Sequence, residues 1–361
     1  MGTCYSKEDR SLLGDIAPSS LPQGSEQKYY SKMQRIGLID VDGGKNFPNI
    51  ALMKISAFHK AKGDSVCWYD PFFCADEFDK VYMSKVFSFT PDYEYPIHAK
   101  EINKGGSGYC ISLVNGKEVF DKSKDVPLPD EIEHIYPDYS IYPELTQDTA
   151  YGFLTRGCPR GCSFCIVGTK EGRCSRKVAD LSEFWSGQKK IVLCDPNILA
   201  CREWKDLLQQ CIDSGAEIDF NQGLDIRLMT EEKAKMISSL KLKGIHFAWD
   251  RYEDKEKVLP RLKLFADIAL PTLSKGQIHN AVVYTIVNYD TTLEQDLDRI
   301  YTLRDMGYWA YVMIYDREHC QKVYRDLARW CNNRFIFAKC KRFEDYQGSS
   351  GRKTEDSLSL F

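Results

Sequence analysis

The chain has 361 residues and a formal net charge of −3, so it carries no overall basic field that would attract nucleic acid. Hydrophobic residues make up 43% of the sequence, which is enough for a sizeable core, and the length fits two domains or one large domain with a smaller one. Apolar runs of about 18 residues are absent, so the sequence predicts no membrane span.

The number of cysteines indicates the cellular compartment of the protein. Fourteen cysteines in a chain of this length, without a signal-peptide pattern, indicate reduced thiols and a metal site rather than disulfides. We therefore expect a cytoplasmic protein.

Residues 1–30 are polar and predict a flexible lead-in. They begin with MGTCYS, which fits the short pattern for N-myristoylation of Gly2, and an unmodified flexible terminus is the alternative.

Residues 31–125 begin with a β-α-β pattern. Pro48 at the first helical position and Gly63 just past the end bracket a predicted helix. The pattern favours a small Rossmann-like β/α layer. Three strands are predicted in it, at 35–41, at 65–69 and within 80–89.

Residues 100–148 are less regular. Residues 105–109 (GGSGY) predict a flexible loop. Residues 126–149 mix prolines with acidic residues and tyrosines, so we expect an extended linker to the next domain.

Residues 150–345 alternate strand and helix patterns at about 25–35 residues per unit, as a parallel β/α fold requires. Six strands are predicted, at 151–155, 190–194, 217–220, 245–249, 281–287 and 309–314. Helices are predicted around 181–185, at 202–214, 231–240, 257–269 with an interruption near Pro260, 291–306 behind a capping box, and 321–330. Residues 346–361 are polar and predict a disordered tail.

Three cysteines stand together after the first of these strands. Cys158, Cys162 and Cys165 have C-x3-C-x2-C spacing, and the glycines and proline among them predict a loop. Thiolates so close together require a soft metal partner. A zinc site usually takes four ligands in two pairs, whereas this loop has three cysteines and no histidine. An iron–sulfur cluster therefore fits better, and three ligands on a four-iron cluster would leave one iron open.

This motif resembles a known signature. C-x3-C-x2-C with an aromatic residue, Phe164, directly before the last cysteine resembles the signature of radical S-adenosylmethionine (SAM) enzymes. The resemblance implies a partial (β/α)6 barrel in which the three cysteines hold a [4Fe–4S] cluster. It implies that the open iron binds the amino and carboxylate groups of SAM. One-electron reduction, from a donor such as flavodoxin or ferredoxin, would then cleave SAM to a 5′-deoxyadenosyl radical.

The β-α-β layer ahead of the cysteines resembles the cobalamin-binding domain that precedes the barrel in one branch of that superfamily. Cobalamin binders in that branch usually carry Asp-x-His-x-x-Gly after the first strand, where the histidine ligates cobalt. The corresponding residues here, 40–45, contain no histidine. We therefore expect the fold without cobalamin.

Polar residues follow five of the six predicted strands, at the edge where ligands collect in parallel β/α folds. The resemblance implies that residues after the second strand contact the SAM amino group, although they depart from the usual Gly-Gly-Glu form. These residues are Asp195, Pro196 and Asn197.

The resemblance also implies contacts from the third and fifth strands. Gln222, Asp225 and Arg227 are candidates for binding the ribose or the carboxylate, and Arg227 could pair with the carboxylate through two bonds. A structural ion pair between Asp225 and Arg227 is the alternative. Val287 and Asn288 would flank the adenine, as would the backbone near Phe164.

The other cysteines lack compact metal spacing, and we interpret Cys174 as a solvated loop residue, with a reactive thiol or a second-cluster ligand as alternatives. Most of the others are expected to be buried thiols. They include Cys67, Cys74 and Cys110 near the start and Cys320, Cys331 and Cys340 near the end. Local basic stretches at 170–177 and 339–342 could contact RNA or phosphate, which the net charge does not support, and a solvated face is the default.

Three functions follow from these observations. The first is a radical SAM enzyme acting without cobalamin on an unidentified substrate. The second is a methylthiotransferase-like enzyme acting on tRNA or protein, which needs a second cluster on three N-terminal cysteines. The third is an iron–sulfur binding module without enzymatic activity.

Overall fold

A computed structural model describes residues 33–72, 77–114, 117–269 and 281–347 of the chain. The predictions for Gly2, for Cys74, for the lead-in up to residue 32 and for the tail beyond residue 347 lie outside these residues. The described chain is a mixed α/β fold with two parallel sheets. Every helix in these ranges is too short or too polar to traverse a lipid bilayer.

The first sheet has four parallel strands in the order β2-β1-β3-β4. Their bounds are β1 Arg35–Asp40, β2 Ser65–Trp68, β3 Phe78–Ser84 and β4 Ala99–Gly105. Helix α1, Ile50–Ala61, joins β1 to β2 and begins where the Asn49 side chain accepts a hydrogen bond from the Leu52 amide. Leu52 packs with Leu38 of β1 in a small core. The three predicted strands and the helix are therefore present, although the helix begins after Asn49 rather than at Pro48.

Two predictions for this part of the chain are wrong. Strand β4 lies in a stretch that showed no strand pattern, because an exposed edge strand with charged side chains lacks apolar alternation. The predicted flexible loop at 105–109 instead contains the end of β4 and a short helix α2, Ser107–Cys110. An antiparallel hairpin follows, made of β5 Ile111–Val114 and β6 Lys117–Phe120.

The predicted extended linker contains short helices, α3 Asp130–Glu133 and α4 Pro143–Thr146. It is fixed to the first sheet at Asp138, whose carboxylate accepts hydrogen bonds from Ser56 (2.6 Å) and Lys60 (2.6 Å) of α1. The next residue, Tyr139, donates to the Phe184 carbonyl at 2.6 Å. These bonds hold the segment against both of its neighbours.

The second sheet has six parallel strands, and their order follows the chain, β7-β10-β11-β12-β13-β14. All six predicted strands are present. Their bounds are β7 Thr149–Gly152, β10 Lys190–Leu193, β11 Glu217–Phe220, β12 Lys241–Ala248, β13 Ala281–Val287 and β14 Trp309–Ile314. A two-stranded antiparallel ribbon, β8 Thr155–Arg156 and β9 Arg176–Lys177, lies between β7 and β10 in the chain.

Helices follow the strands where the sequence predicted them, with three differences. Residues 181–185 contain only one turn of 3-10 helix, and the helix through Pro260 is continuous rather than interrupted. The capping box at the fifth helix uses Thr292 and Gln295, one residue later than predicted. The bounds are α5 Val167–Lys170, α6 Trp204–Ser214, α7 Glu231–Ser238, α8 Lys255–Ala269, α9 Leu293–Asp305, α10 Lys322–Asn332 and α11 Arg334–Lys339.

The two faces of the six-stranded sheet differ, since successive side chains of a strand point to opposite faces. In β13, Val283 and Val287 are fully buried in the large core beneath the helices. Tyr284 lies on the opposite face and is only partly buried, and its neighbour Tyr311 in β14 is 41% exposed. At β13 and β14 the sheet therefore buries one face and leaves the other partly accessible. At β7 and β10 this second face is also buried, through Tyr151 and Val192.

Candidate functional site

The loop that carries the three cysteines is closed at its base by the β8–β9 ribbon. Thr155 pairs with Lys177 and Arg156 with Arg176, and the Cys158 amide donates to the Gly172 carbonyl at 3.1 Å. The first strand of the sheet therefore ends at Gly152, so the predicted strand at 151–155 was too long.

Gly157 is required at the start of this loop. Its φ is +85°, and a Cβ there would lie 2.3 Å from the Cys174 carbonyl oxygen. Only glycine fits both the left-handed conformation and the close approach of the two backbone segments.

Asp195, which follows β10, attaches this ribbon to the sheet. Its buried carboxylate accepts hydrogen bonds from the Leu154 amide (3.2 Å), the Thr155 amide (2.5 Å) and the Thr155 hydroxyl (2.6 Å). Burial raises the pKa of Asp195 to about 6, against the hydrogen bonds from Thr155 and Leu154, which lower it. The side chain of Asp195, a residue predicted to contact SAM, therefore positions the backbone that leads into the cysteine loop.

The cysteines themselves are partly accessible. Cys158 and Cys162 are half-buried and Cys165 is exposed, and the Cys165 amide donates to the Cys162 carbonyl at 3.0 Å. Burial raises the pKa of the Cys162 thiol, while the nearby Arg227 guanidinium opposes that shift. Within the described ranges, no three His, Cys, Asp or Glu side chains form a group that could hold one metal ion. A cuboidal cluster makes a different demand, because each thiolate binds a separate iron.

Asn197 connects the cysteine loop to the next strand. It is 2% exposed, and its Nδ2 lies 3.4 Å from the Cys158 sulfur and 3.3 Å from Asp225 Oδ2. Its Oδ1 is buried and has no hydrogen-bond partner among the described residues. A buried acceptor without a donor is costly, so this atom is suited to accept from a bound ligand.

Asp225 and Arg227 form an ion pair, the alternative to SAM binding in the sequence analysis, within a longer chain of alternating charges. Asp225 accepts from Arg160 Nε at 2.6 Å and from Arg227 Nε at 2.8 Å, and Arg227 also contacts Asp254 at 3.1 Å. Burial opposes ionisation of Asp225, but Arg227 and Arg160 together hold its pKa below the usual range. Arg160, which lies inside the cysteine motif and pairs with Asp225 after β11, was not predicted from the sequence.

A group of three aromatic side chains contacts another part of the cysteine loop. The ring of Phe164 meets Tyr289 edge-on at 5.6 Å, Tyr289 meets Tyr315 at 4.7 Å, and the Tyr289 hydroxyl lies 2.5 Å from Ser163 Oγ. Asn288 donates from Nδ2 to the Tyr315 carbonyl at 2.9 Å. The buried Val287 and the partly buried Asn288 are thus joined to the cysteine loop through Tyr289. Tyr289 was not predicted from the sequence, although it directly follows a predicted site residue.

Two further predicted site residues, and two titratable residues near β12, differ in how far they are exposed. Gln222 is exposed, and Pro196 is half-buried. On the accessible face of the sheet, His246 stacks on Tyr284 with ring centroids 5.4 Å apart, and its Nδ1 is buried without a hydrogen-bond partner in the described chain. Burial raises the pKa of Asp250, at the end of β12, to about 6.

The edge of the sheet near Asp250 is fixed by a buried arginine. Arg299 is fully buried, and it donates to the carbonyls of Trp249 (2.7 Å), Asp250 (2.6 Å) and Ile286 (2.7 Å). It also pairs with Asp296 at 2.5 Å. One side chain from α9 thereby holds the carboxyl ends of β12 and β13 in place.

Comparison with known proteins supports a fold assignment. No protein-family model matches the sequence, and no curated protein matches it. Two solved structures of the radical S-adenosylmethionine methyltransferase TsrM from Kitasatospora setae resemble the chain, one with cobalamin and a [4Fe–4S] cluster bound and one with tryptophan substrate and the SAM analogue aza-SAM bound.

Both structures align over most of the chain. The first has 11% sequence identity and a TM-score of 0.53, and the alignment covers 78% of this chain and 72% of that chain. The second has 12% identity and a TM-score of 0.53, with 78% and 73% covered. The resemblance to radical SAM enzymes with a cobalamin-binding-like domain is therefore confirmed as a likeness of fold.

Proposed function

We propose that this chain is a radical SAM enzyme that uses a [4Fe–4S] cluster on Cys158, Cys162 and Cys165, together with SAM, to modify an as yet unidentified substrate. The observation that carries the proposal is the attachment of the cysteine loop to the carboxyl edge of a parallel sheet. Asp195 holds the backbone that enters the loop, and Asn197 contacts the Cys158 sulfur. The fold of TsrM supports the same assignment.

The two sheets would then have distinct roles. We propose that residues 150–345 form a partial (β/α)6 barrel, because each strand of the six-stranded sheet lies beside the next one in the chain, as in a barrel. Residues 31–125 would be the Rossmann-like domain and 126–149 the linker between them. The accessible face with His246 and Tyr284 would face the substrate.

The residues around the cysteine loop fit a [4Fe–4S] cluster and SAM. When bound, the cluster and SAM supply a 5′-deoxyadenosyl radical that abstracts a hydrogen atom from the substrate. Asn197 Oδ1, which has no partner in the described chain, is suited to accept from the SAM ammonium group. The guanidinium groups of Arg227 and Arg160 are suited to bind the carboxylate, in competition with Asp225.

The remaining predicted contacts complete the proposed SAM site. Phe164, Val287 and Asn288 would flank the adenine, with Tyr289 between the loop and the fifth strand. Gln222 is exposed and available to the ribose, and Pro196 contributes backbone beside Asn197. In the cell we propose a cytoplasmic location and flavodoxin or ferredoxin as the electron donor.

Anaerobic reconstitution tests this proposal. The purified chain should take up about four irons, and incubation with SAM and dithionite should release 5′-deoxyadenosine. The variant Cys158→Ser should lose both the cluster and the product, whereas the control Cys174→Ser should keep both. A chain that carries a full cluster but releases no 5′-deoxyadenosine, or one that isolates with zinc, contradicts the proposal.

Methyl transfer with cobalamin is a second candidate, favoured by the fold of TsrM, whose structure has cobalamin bound. Against it, residues 40–45 lack the histidine of the cobalamin motif. Reconstitution with hydroxocobalamin separates the two candidates. Release of S-adenosylhomocysteine that depends on cobalamin would support methyl transfer, and release of 5′-deoxyadenosine without cobalamin would support the first candidate.

The methylthiotransferase alternative requires a second cluster on the N-terminal cysteines. Cys67 lies in β2, whereas Cys110 ends α2, whose Gly108 amide donates to the carbonyl of Lys85 just beyond β3. Strand β1 separates β2 from β3 in the sheet, so the two thiols belong to separate elements. This arrangement gives no support to a shared cluster. An iron count near eight would reverse this conclusion, and a cluster spectrum insensitive to SAM would favour the non-enzymatic module.

A further inference from the structure

A cavity of about 630 Å³ lies at the carboxyl edge of the four-stranded sheet, away from the cysteine loop. Its walls come from the ends of β1 and β2, from the loop between β3 and β4 and from the linker before β7. In open parallel sheets, ligands bind outside the carboxyl ends of the strands. The cavity therefore stands where a second ligand is expected.

Aromatic rings form much of the cavity wall. Trp68 and Tyr142 meet at 5.2 Å with their planes 71° apart, and Tyr93 and Tyr95 meet at 5.6 Å with planes 64° apart. All four rings line one open cavity. Trp68 and Tyr95 remain 41% and 55% exposed, so a ligand can reach their surfaces.

The charges around the cavity have one sign. Asp40, Asp92 and Glu94 line it, and its lining contains no Lys, Arg or His. Asp92 is balanced by Lys104 at 3.3 Å. Asp40 accepts a hydrogen bond from the Tyr142 hydroxyl at 2.6 Å, and neither Asp40 nor Glu94 forms an ion pair within the described residues. The cavity therefore combines aromatic faces with uncompensated negative charge.

The Gly43-Gly44 turn shapes this cavity rather than a phosphate site. Both glycines have positive φ, and a Cβ on Gly44 would lie 2.6 Å from the Tyr142 ring and 2.9 Å from Asp40 Oδ2. Glycine at this position lets the chain pass close to the ring and the carboxylate. A phosphate would meet carboxylates here and no cation.

We propose that this cavity binds a small quaternary ammonium cation. A methylated cation has an apolar surface and a diffuse positive charge, and it is held by the faces of several aromatic rings with a carboxylate nearby. This assignment goes beyond the proposed function and does not rest on it, because no residue of the cysteine loop lines the cavity.

Calorimetric titration of the full chain tests the assignment with a matched pair of probes. Choline carries a trimethylammonium group, and 3,3-dimethyl-1-butanol has the same shape with a neutral carbon in place of nitrogen. Choline should bind at one site and about tenfold or more tighter than the alcohol, because only the cation gains from the ring faces and the carboxylate. Equal affinities, or no binding of choline, would overturn the proposal.

Variants locate the binding. Asp40→Asn keeps the side-chain shape and should weaken choline binding about tenfold, as should Trp68→Ala. Phe89→Ala changes an exposed ring that does not line the cavity and should leave the affinity unchanged. If Trp68→Ala does not fold by circular dichroism, the isosteric Asp40→Asn still decides the question, and unaltered binding in that variant contradicts the proposal.

Two further measurements separate this proposal from the enzymatic one. Cys158→Ser should bind choline as the natural chain does even when it holds no cluster, so failure of one proposal leaves the other intact. Hydroxocobalamin that binds in a Trp68-dependent manner, with no binding of choline, would assign the cavity to cobalamin and overturn the ammonium site.

Discussion

The four-stranded and six-stranded sheets are both parallel, and in both of them functional groups gather beyond the carboxyl ends of the strands. At the six-stranded edge these groups are thiols, guanidinium groups and an unpartnered amide oxygen, around Cys158, Arg227 and Asn197. At the four-stranded edge they are aromatic rings and carboxylates around Asp40 and Trp68. The backbone arrangement determines where a ligand binds, and the side chains determine which ligand it is.

The edges also differ in how they are held. The six-stranded edge is fixed by buried charges, since Arg299 and Asp296 are both inaccessible to solvent. The four-stranded edge is held by separate hydrogen bonds to carboxylates, such as Tyr142 to Asp40 and Thr90 to Asp42, and by ring contacts. Removing one partner of a buried charge pair is far more costly than removing one hydroxyl. The effects of substitution should therefore be larger at the six-stranded edge.

The largest effect is expected for Arg299→Met. This change leaves Asp296 buried without its cation and frees three strand-end carbonyls, and it should lower the free energy of unfolding by about 3–5 kcal/mol. Urea denaturation of the cluster-free chain measures it. The control Lys255→Met breaks the more exposed pair with Asp298 and should cost no more than about 1 kcal/mol. Equal losses of unfolding free energy in the two variants would contradict the predicted difference between the buried and the exposed ion pair.

A second effect is a pH dependence centred on Asp195. Its folded pKa of about 6 exceeds the ordinary value of 3.8, so the folded chain holds an extra proton between these values. Stability due to this group is therefore greatest at low pH and is lost as the pH rises towards 6. Between these two pH values, the free energy of unfolding of the natural chain should fall by up to about 3 kcal/mol relative to that of Asp195→Asn. A constant difference between pH 4 and 7 in urea titrations would contradict the assignment.

A third effect concerns ligand affinity. Asn197→Ala removes the buried acceptor proposed for the SAM ammonium group, and it should weaken SAM binding by about 10–100-fold, as expected for a hydrogen bond to a charged group. Equilibrium binding of SAM to the reconstituted chain measures this loss. Gln209→Ala, which changes an exposed amide on α6, serves as the control. Unchanged affinity in Asn197→Ala would show that another group binds the ammonium.

The smallest effect is expected at the four-stranded edge. Tyr142→Phe removes the hydroxyl that donates to Asp40 and should cost about 1 kcal/mol of stability. Burial raises the pKa of Tyr142, so its hydroxyl stays protonated and acts as a donor at neutral pH. Formation of 5′-deoxyadenosine should not change. A loss of product comparable to that in Asn197→Ala would show that the two edges act together.

Local pattern was sufficient for much of the fold. Apolar runs and helix-capping residues gave the six strands of the second sheet, the Thr-capped helix at Glu231–Ser238 and the end of α6 at Gly215. Strand β4 was missed because an edge strand need not be apolar. Predictions succeeded where neighbouring residues along the chain decide the structure.

The functional edge was predicted less completely. Asp225 and Arg227 are two residues apart, so their pairing could be anticipated, whereas the contact of Asp225 with Arg160 spans 65 residues. Asp195 remains a predicted SAM contact, and the register of β10 against β7 directs its carboxylate to Leu154 and Thr155, which the sequence did not predict. Side-chain direction at a strand end depends on such registers, which the sequence does not state.

The sequence by itself was sufficient to predict Cys158, Cys162 and Cys165 as cluster ligands, because their spacing is a local property of one loop. It also determined the number and order of the strands that follow. Only the tertiary structure decided which polar groups surround those thiols and that a separate aromatic, acidic cavity exists at the other sheet. The physical reason is that contacts between side chains far apart in the chain depend on strand pairing and packing, which local sequence does not encode.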